Sequence, residues 1–278
     1  MSVQLADLVA RTPELAAMPA SSARLLTLLE EPDTPVSDVL AVIEKDPGLT
    51  ANLLKLCNSA YYGLRREVGS VREALVRLGN QTVITLAFAA SMGRLLQVPV
   101  TAYRLPRGQL WRHTLAVGLL ATRWLPAGPA DVERHRAFTA GVVHDIGKLL
   151  LDRPLRDGLE QLPPSLDYEG LLAAERQLLG FDHAQAGAAL AESWNFPVDL
   201  VAVIAEHHGA GRENRLAALI TAADLLASQR GHDGGAPVVD DAALEDALTA
   251  AGLDPDQTLA DADPALRDLD GMLALLGA

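Results

Sequence analysis

The chain has 278 residues, 49% of them hydrophobic, one cysteine and a formal net charge of −13 at pH 7. That length can bury one large core or two fused helical halves, and the single cysteine, Cys57, excludes an intrachain disulfide framework. The charge is uneven: residues 232–278 hold eleven Asp/Glu against one Arg, leaving 25 acidic and 22 basic residues for positions 1–231, so the near-neutral body carries no cationic stripe of the kind that holds nucleic acid.

In chain order, Met1–Glu14 places Asp7 and Glu14 where a secretory leader needs a basic start and an unbroken apolar run, which predicts a cytoplasmic protein. Apolar residues return every three or four positions in Ser22–Leu29, and the pattern stops at Pro32. Cys57 ends the apolar run from Ala51 and reads as a small buried hydrophobe. Ser70-Val71-Arg72-Glu73 predicts a capped helix running through Leu78, with Gly79 as its stop. The most apolar stretches, Thr82–Met92 and Gly141–Leu151, fall short of the roughly 20 residues that span a bilayer. Pro/Gly clusters mark connections at Glu31–Pro35, Pro99–Arg107, Pro126–Pro129, Leu162–Ser165 and Gly231–Pro237. The expected architecture is all-α, about a dozen helices by pattern. Residues 1–104 are expected to form an N-terminal helical subdomain packed on a second one, 105–231, and 232–278 an acidic helical tail, peripheral and dispensable for folding, with disorder as the alternative.

Every histidine lies in the second half or beyond it. His113, His144, His183, His207 and His208 fall in predicted helices among apolar neighbours, whereas His135 and His232 fall in polar connections. Asp145 and Asp224 share the apolar setting, in Val142-Val143-His144-Asp145-Ile146 and Ala222-Ala223-Asp224-Leu225-Leu226. One buried imidazole needs only a hydrogen-bond partner. Several of them together with carboxylates, which cost several kcal/mol each to bury unpaired, point to a shared cation. Imidazole nitrogen with carboxylate oxygen suits one or two divalent ions such as Fe, Mn, Zn or Mg.

The order His113, His144-Asp145 extended to Ile146-Gly147-Lys148, His183, His207-His208, Asp224 resembles the HD superfamily of metal-dependent phosphohydrolases. The N-terminal half resembles one branch of it, the HDOD family, in Glu44-Lys45-Asp46-Pro47-Gly48-Leu49-Thr50, in Asn58-Ser59-Ala60-Tyr61-Tyr62-Gly63 and in Ser70–Leu75 with Leu78-Gly79. Leu110-Trp111-Arg112-His113 and Trp194-Asn195-Phe196-Pro197 resemble it too. The similarity runs from about Pro13 to Ala227.

The resemblance implies that His113, His144, Asp145 and Asp224 hold a first metal, that Asp145 also reaches a second held by His183 and His207, and that His208 serves a further metal or the ligand. It implies that Lys148, one turn after Asp145, faces the same pocket as a phosphate contact. Asn58, Tyr61, Arg65 and Arg66 are candidates for a ligand or partner surface, with a packing junction and solvated charge as the alternatives. Two departures stand against catalysis. His207-His208-Gly209-Ala210-Gly211-Arg212-Glu213 lacks the Gly-Tyr-Pro-containing segment of the cyclic-di-GMP hydrolases, and Gln109 stands where some of those enzymes carry a glutamate. Glu175, eight residues before His183, either compensates or lies on the surface. The expected function is that of a signal-transduction protein that binds a signalling partner or a nucleotide-type ligand, without established catalysis. The alternative is a metal-dependent phosphohydrolase acting on a nucleotide or cyclic dinucleotide.

Overall fold

The computed structural model describes residues 5–12, 15, 18–31, 33–125, 132–159, 167–209, 213–236 and 239–276. Among these the chain is helical throughout, with no strand beyond isolated bridges such as Val100–Leu105. The expected connections Pro126–Pro129 and Leu162–Ser165 lie outside the described residues. No described helix is long and apolar enough to cross a membrane.

The N-terminal half contains α1 (Leu5–Ala10), α2 (Ala20–Leu29), α3 (Val36–Ile43), α4 (Pro47–Cys57), α5 (Val71–Leu78) and α6 (Asn80–Leu96). Its local rules hold: the Asp46 carboxylate accepts from Leu49 N to start α4, behind Pro47 at the first position, and Ser70 Oγ accepts from Glu73 N to start α5. The return bond of that capping box comes from Gly69 N to Glu73 Oε2 rather than from Ser70. α6 is buried on nearly every side and is the post against which α2, α4 and α5 pack. Cys57 is fully buried, and burial pushes its thiol up to about 12.

The second half contains α7 (Gln109–Arg123), α8 (Val132–Val143), α9 (Gly147–Leu159), α10 (Tyr168–Leu179), α11 (His183–Ser193), α12 (Val198–Glu206) and α13 (Arg215–Gln229). α7 is its centre and packs against α8 and α13. Two close approaches set how tightly these helices meet. A side chain on Gly141 of α8 would stand 2.6 Å from the Gly118 backbone of α7, and one on Gly147 of α9 would collide with the His183 carbonyl and the Gly187 backbone of α11. Only glycine lets these backbones meet. His135, expected in a connection, lies within α8.

The C-terminal segment is helical as expected, in α14 (Asp241–Ala250) and α15 (Pro255–Leu276), but it is not peripheral. α14 packs on α13, and α15 packs on α7 while also reaching α4 and the short turn Ala60–Tyr62 of the other half. Leu248 and Leu269 are fully buried, and Met272 and Leu273 nearly so. Each such side chain contributes about 1.5–3 kcal/mol of burial, and together they rival a typical net stability of about 5–15 kcal/mol. The acidic charge hid this, because it sits on the outer face of helices whose inner face completes the core. Truncation after Gly231 is therefore expected to abolish cooperative thermal unfolding as followed by circular dichroism. A sharp, unchanged melting transition in the truncated chain would show that α14 and α15 are dispensable after all.

Candidate metal centre

The histidines expected inside helices cluster at helix ends, where a rigid scaffold presents side chains without continuing the backbone ladder. His113 is the exception, within α7. His144 and Asp145 follow the last residue of α8, His183 opens α11, His207 and His208 follow α12, and Asp224 projects from α13. All but the partly exposed His208 are buried.

Four of the imidazoles are held in the same way. Nδ1 of His113 bonds the His232 carbonyl at 2.7 Å, that of His144 the Gly141 carbonyl at 2.8 Å, and that of His207 the Ile204 carbonyl at 2.7 Å. Nδ1 of His183 bonds the Glu175 carboxylate at 2.8 Å. A carbonyl or carboxylate oxygen accepts, so Nδ1 donates in each case and Nε2, once it carries no proton, faces the centre as the coordinating atom.

All four Nε2 atoms surround Asp145. Oδ2 lies 3.4 Å from His113 Nε2 and 3.6 Å from His144 Nε2, while Oδ1 lies 3.3 Å from His183 Nε2 and 3.6 Å from His207 Nε2. His113 Nε2 is also 3.2 Å from Asp224 Oδ1 and 3.3 Å from His144 Nε2. A coordination shell of about 2.1 Å separates neighbouring ligand atoms by about 3.0–3.4 Å; the His113 and His183 spacings match it, and those of His144 and His207 to Asp145, at 3.6 Å, stand just beyond it. Asp145 Oδ1, Asp224 Oδ1 and His207 Nε2 are buried without a hydrogen-bond partner, a costly arrangement that a cation relieves. The residues therefore fit a divalent ion. His113, His144 and Asp145 form one candidate set, Asp145, His183, His207 and His208 a second that shares the Asp145 carboxylate, and His144, His207 and Asp224 a third.

Glu175 is fully buried and not on the surface: it accepts from His183 N at 2.7 Å, from His183 Nδ1 and from the Tyr103 hydroxyl at 2.7 Å. The spacing Leu171-x3-Glu175-x3-Leu179, which puts it on the apolar stripe of α10, was the available signal. Tyr168 has no such signal; its hydroxyl donates to Asp224 Oδ2 and its ring lies 4.6 Å from that of His208.

Lys148 faces the centre as expected, but it is 1% exposed, and its ammonium donates to Asp145 Oδ2 at 2.5 Å and to the Gly234 carbonyl at 2.8 Å. Gly234 belongs to a strap, 232–236, laid across the His113–Asp145 edge. His232 lies in the connection between α13 and α14 as expected, yet it is buried there; its Nδ1 accepts from Arg112 Nε at 3.1 Å, and Gln109 donates to the Asp233 carbonyl at 3.3 Å.

The N-terminal candidates stand apart from this cluster. Asn58 uses both ends of its amide on the Val68 backbone, 3.0 and 2.7 Å away, and so closes a loop. Tyr61 is half-buried in the turn that meets α15, with Arg134 beside its hydroxyl, and Arg65 and Arg66 are exposed.

Burial and charge divide the imidazoles. Burial opposes a charge on His113, but the Asp145 and Asp224 carboxylates outweigh it and push the group up to about 9. Burial likewise opposes His183, and Glu175 leads the groups that raise it to about 9. Burial holds His144, His207 and His208 below the usual histidine range, reinforced at His208 by His207 and His183. Burial would raise Asp145, but Lys148 and His144 hold it well below the carboxylate range; for Asp224 burial wins and raises it.

An HDOD domain model matches residues 15–210. An uncharacterized protein of Treponema pallidum is 27% identical over 210 residues, 75% of this chain, which spans 40% of that protein's length. An HDOD domain protein with unknown function from Geobacter sulfurreducens has the same fold, with a TM-score of 0.75, 20% identity, and coverage of 98% of this chain and 96% of that one. A protein of Shewanella amazonensis named "Putative phosphohydrolase" superposes with a TM-score of 0.71 at 26% identity, covering 99% of this chain and 98% of that one.

Two outcomes are expected. In Gly234→Ala the new Cβ stands 2.7 Å from His113 Nε2 and 2.9 Å from Asp145 Oδ2, so metal affinity falls by roughly 10–100-fold, the range for disturbed partners behind ligands; unchanged affinity in a metal titration would show that the strap does not bear on the centre. Metal uptake must displace protons from His113 and His183, which sit at about 9, so uptake near pH 7 releases protons and affinity rises from about pH 6 to about pH 9. A titration in buffers of different ionisation enthalpy reads this, and no proton release would contradict it.

Proposed function

The chain belongs to the HDOD domain family, and from that premise we propose that it is a signal-transduction protein whose divalent-metal centre organises a binding site for a ligand or partner and does not turn a substrate over. One observation carries this reading. The Lys148 ammonium, the group a phosphohydrolase would offer to phosphate, is already bound to Asp145 and the Gly234 carbonyl and has almost no exposed surface. A buried ammonium so satisfied contributes charge balance to the centre; freeing it for a phosphate means opening the strap and leaving Asp145 short of a partner.

In this reading His113, His144 and Asp145 hold one ion, with Asp224 beside His113 as its further ligand, and Asp145, His183, His207 and His208 are available to a second. An ion there supplies Lewis acidity and charge neutralisation when bound. The chain's own residues do the rest: Glu175 orients His183, the carbonyls of Gly141, Ile204 and His232 orient the other imidazoles, and Lys148 neutralises Asp145. Tying loop ends of five helices to one carboxylate also stabilises the fold that presents the site.

Substitution of Asp145 tests the reading. Asp145→Asn keeps the shape but removes the charge that both ligand sets share, so metal content by elemental analysis is expected to fall at least tenfold, with no turnover of nucleotides or cyclic dinucleotides before or after. Robust wild-type turnover that Asp145→Asn abolishes would replace the regulator with a phosphohydrolase.

A further inference from the structure

Residues 97–108 join the two halves of the chain, between α6 and α7. Gly108 N donates to the Gln97 carbonyl at 3.1 Å, and Val100 and Leu105 exchange backbone hydrogen bonds at 2.9 and 3.1 Å, so the connection closes on itself. Within it Arg104 holds a φ of 57°, in the left-handed region that a residue with a side chain keeps only where its surroundings over-determine it. The residues just before it are fixed by the second half: Ala102 N donates to Asp152 Oδ1 of α9 at 2.7 Å, and Tyr103 is 4% exposed.

Tyr103 meets the metal centre on three sides. Its hydroxyl donates to Glu175 Oε1 at 2.7 Å, Lys148 Nζ stands 5.7 Å from the centroid of its ring, and a side chain on Gly235 of the strap would come within 3.1 Å of its Cβ. The hydroxyl decides what the residue does. Glu175 is a buried carboxylate, and among the described residues its other hydrogen-bond donors, N and Nδ1, both belong to His183, the side chain it orients. A carboxylate bonded only to the ring it orients can shift together with that ring; the Tyr103 hydroxyl anchors the pair from outside. We propose that Tyr103 is a positioning residue of the metal centre, which acts through Glu175 on His183 and couples the connection between the halves to metal binding. This rests on the metal-centre reading above and deepens it by naming the element that ties the N-terminal half to the occupancy of the site.

Coupling of this kind is reciprocal. If the connection holds His183 in place for an ion, an ion on His183 holds the connection, and loosening either end weakens the other. Packing alone makes no such demand: Tyr103→Phe fills the same space and removes only the anchor.

Binding of manganese(II) and of zinc(II), and amide hydrogen exchange, measured on the full-length protein and on Tyr103→Phe, test the proposal. Phe88→Leu, in the buried α6, controls for stability lost outside the centre. For whichever ion the wild type binds, affinity is expected to fall by about 10–100-fold in Tyr103→Phe, the range for partners behind a ligand, and to stay unchanged in Phe88→Leu. In metal-free Tyr103→Phe the segments 97–108 and 179–186 are expected to exchange at least about fivefold faster while α2 and α4 exchange as before; in the wild type the bound ion slows both segments. Unchanged affinity in Tyr103→Phe overturns the proposal, as does unchanged exchange of the two segments or a fall in affinity that Phe88→Leu matches, the mark of a merely structural role. Protection by the ion that reaches 179–186 and leaves 97–108 untouched overturns it in the wild type alone. The metal reading fails separately. A wild type that binds neither ion, yet whose two segments loosen together in Tyr103→Phe, supports the Tyr103 anchor on His183 while the metal centre falls, and equal metal binding by both proteins does the reverse.

Discussion

Asp145 is a carboxylate with no exposed surface, and taking such an ion out of water costs several kcal/mol unless its surroundings return the charge. The surroundings here are four imidazole Nε2 atoms and one ammonium, each placed by a different part of the chain. His113 within α7 and the ends of α8, α9, α11 and α12 all meet at this one spot. The two glycine-lined approaches, α8 on α7 and α9 on α11, are what let those ends come close enough. Packing and polar satisfaction thus constrain each other: the backbone distances place the ligands, and the ligands leave little freedom in the backbone distances.

The C-terminal segment follows from the same constraint. His113 needs an acceptor for its Nδ1 proton, Lys148 needs one beyond Asp145, and both find it in the backbone carbonyls of the strap, at His232 and Gly234. The strap is anchored in turn by α15, whose Asp270 pairs with Arg112 beside it, and α15 lies across α7 and α4 and so ties the two halves together. The segment that carries most of the net charge is therefore structural on its inner face and seals one edge of the centre.

Much of the site was legible because polar side chains in apolar stretches are conspicuous. His144-Asp145 within Gly141–Leu151 and Asp224 within Ile220–Leu226 break a pattern that otherwise has no reason to change. What escaped was relational. Lys148 could be placed on the face of Asp145, but its second partner stands 86 positions away. Glu175 lay on the apolar stripe of α10, yet the sequence does not say which helix that stripe meets. The stripe Leu266, Leu269, Met272, Leu273 was readable too, and its acidic outer face led to the opposite conclusion, because charge density describes the solvent side of a helix and not the side that packs.

The role proposed for the second half rests on a divalent ion bound among these imidazoles. X-ray absorption at the metal edge of the full-length protein measures that directly. The predicted spectrum has an innermost shell of nitrogen and oxygen donors at about 2.0–2.2 Å, with the outer-shell scattering of several imidazole rings and no sulfur. A protein that carries no metal after loading, or a metal surrounded by oxygen alone with no imidazole signature, would contradict it.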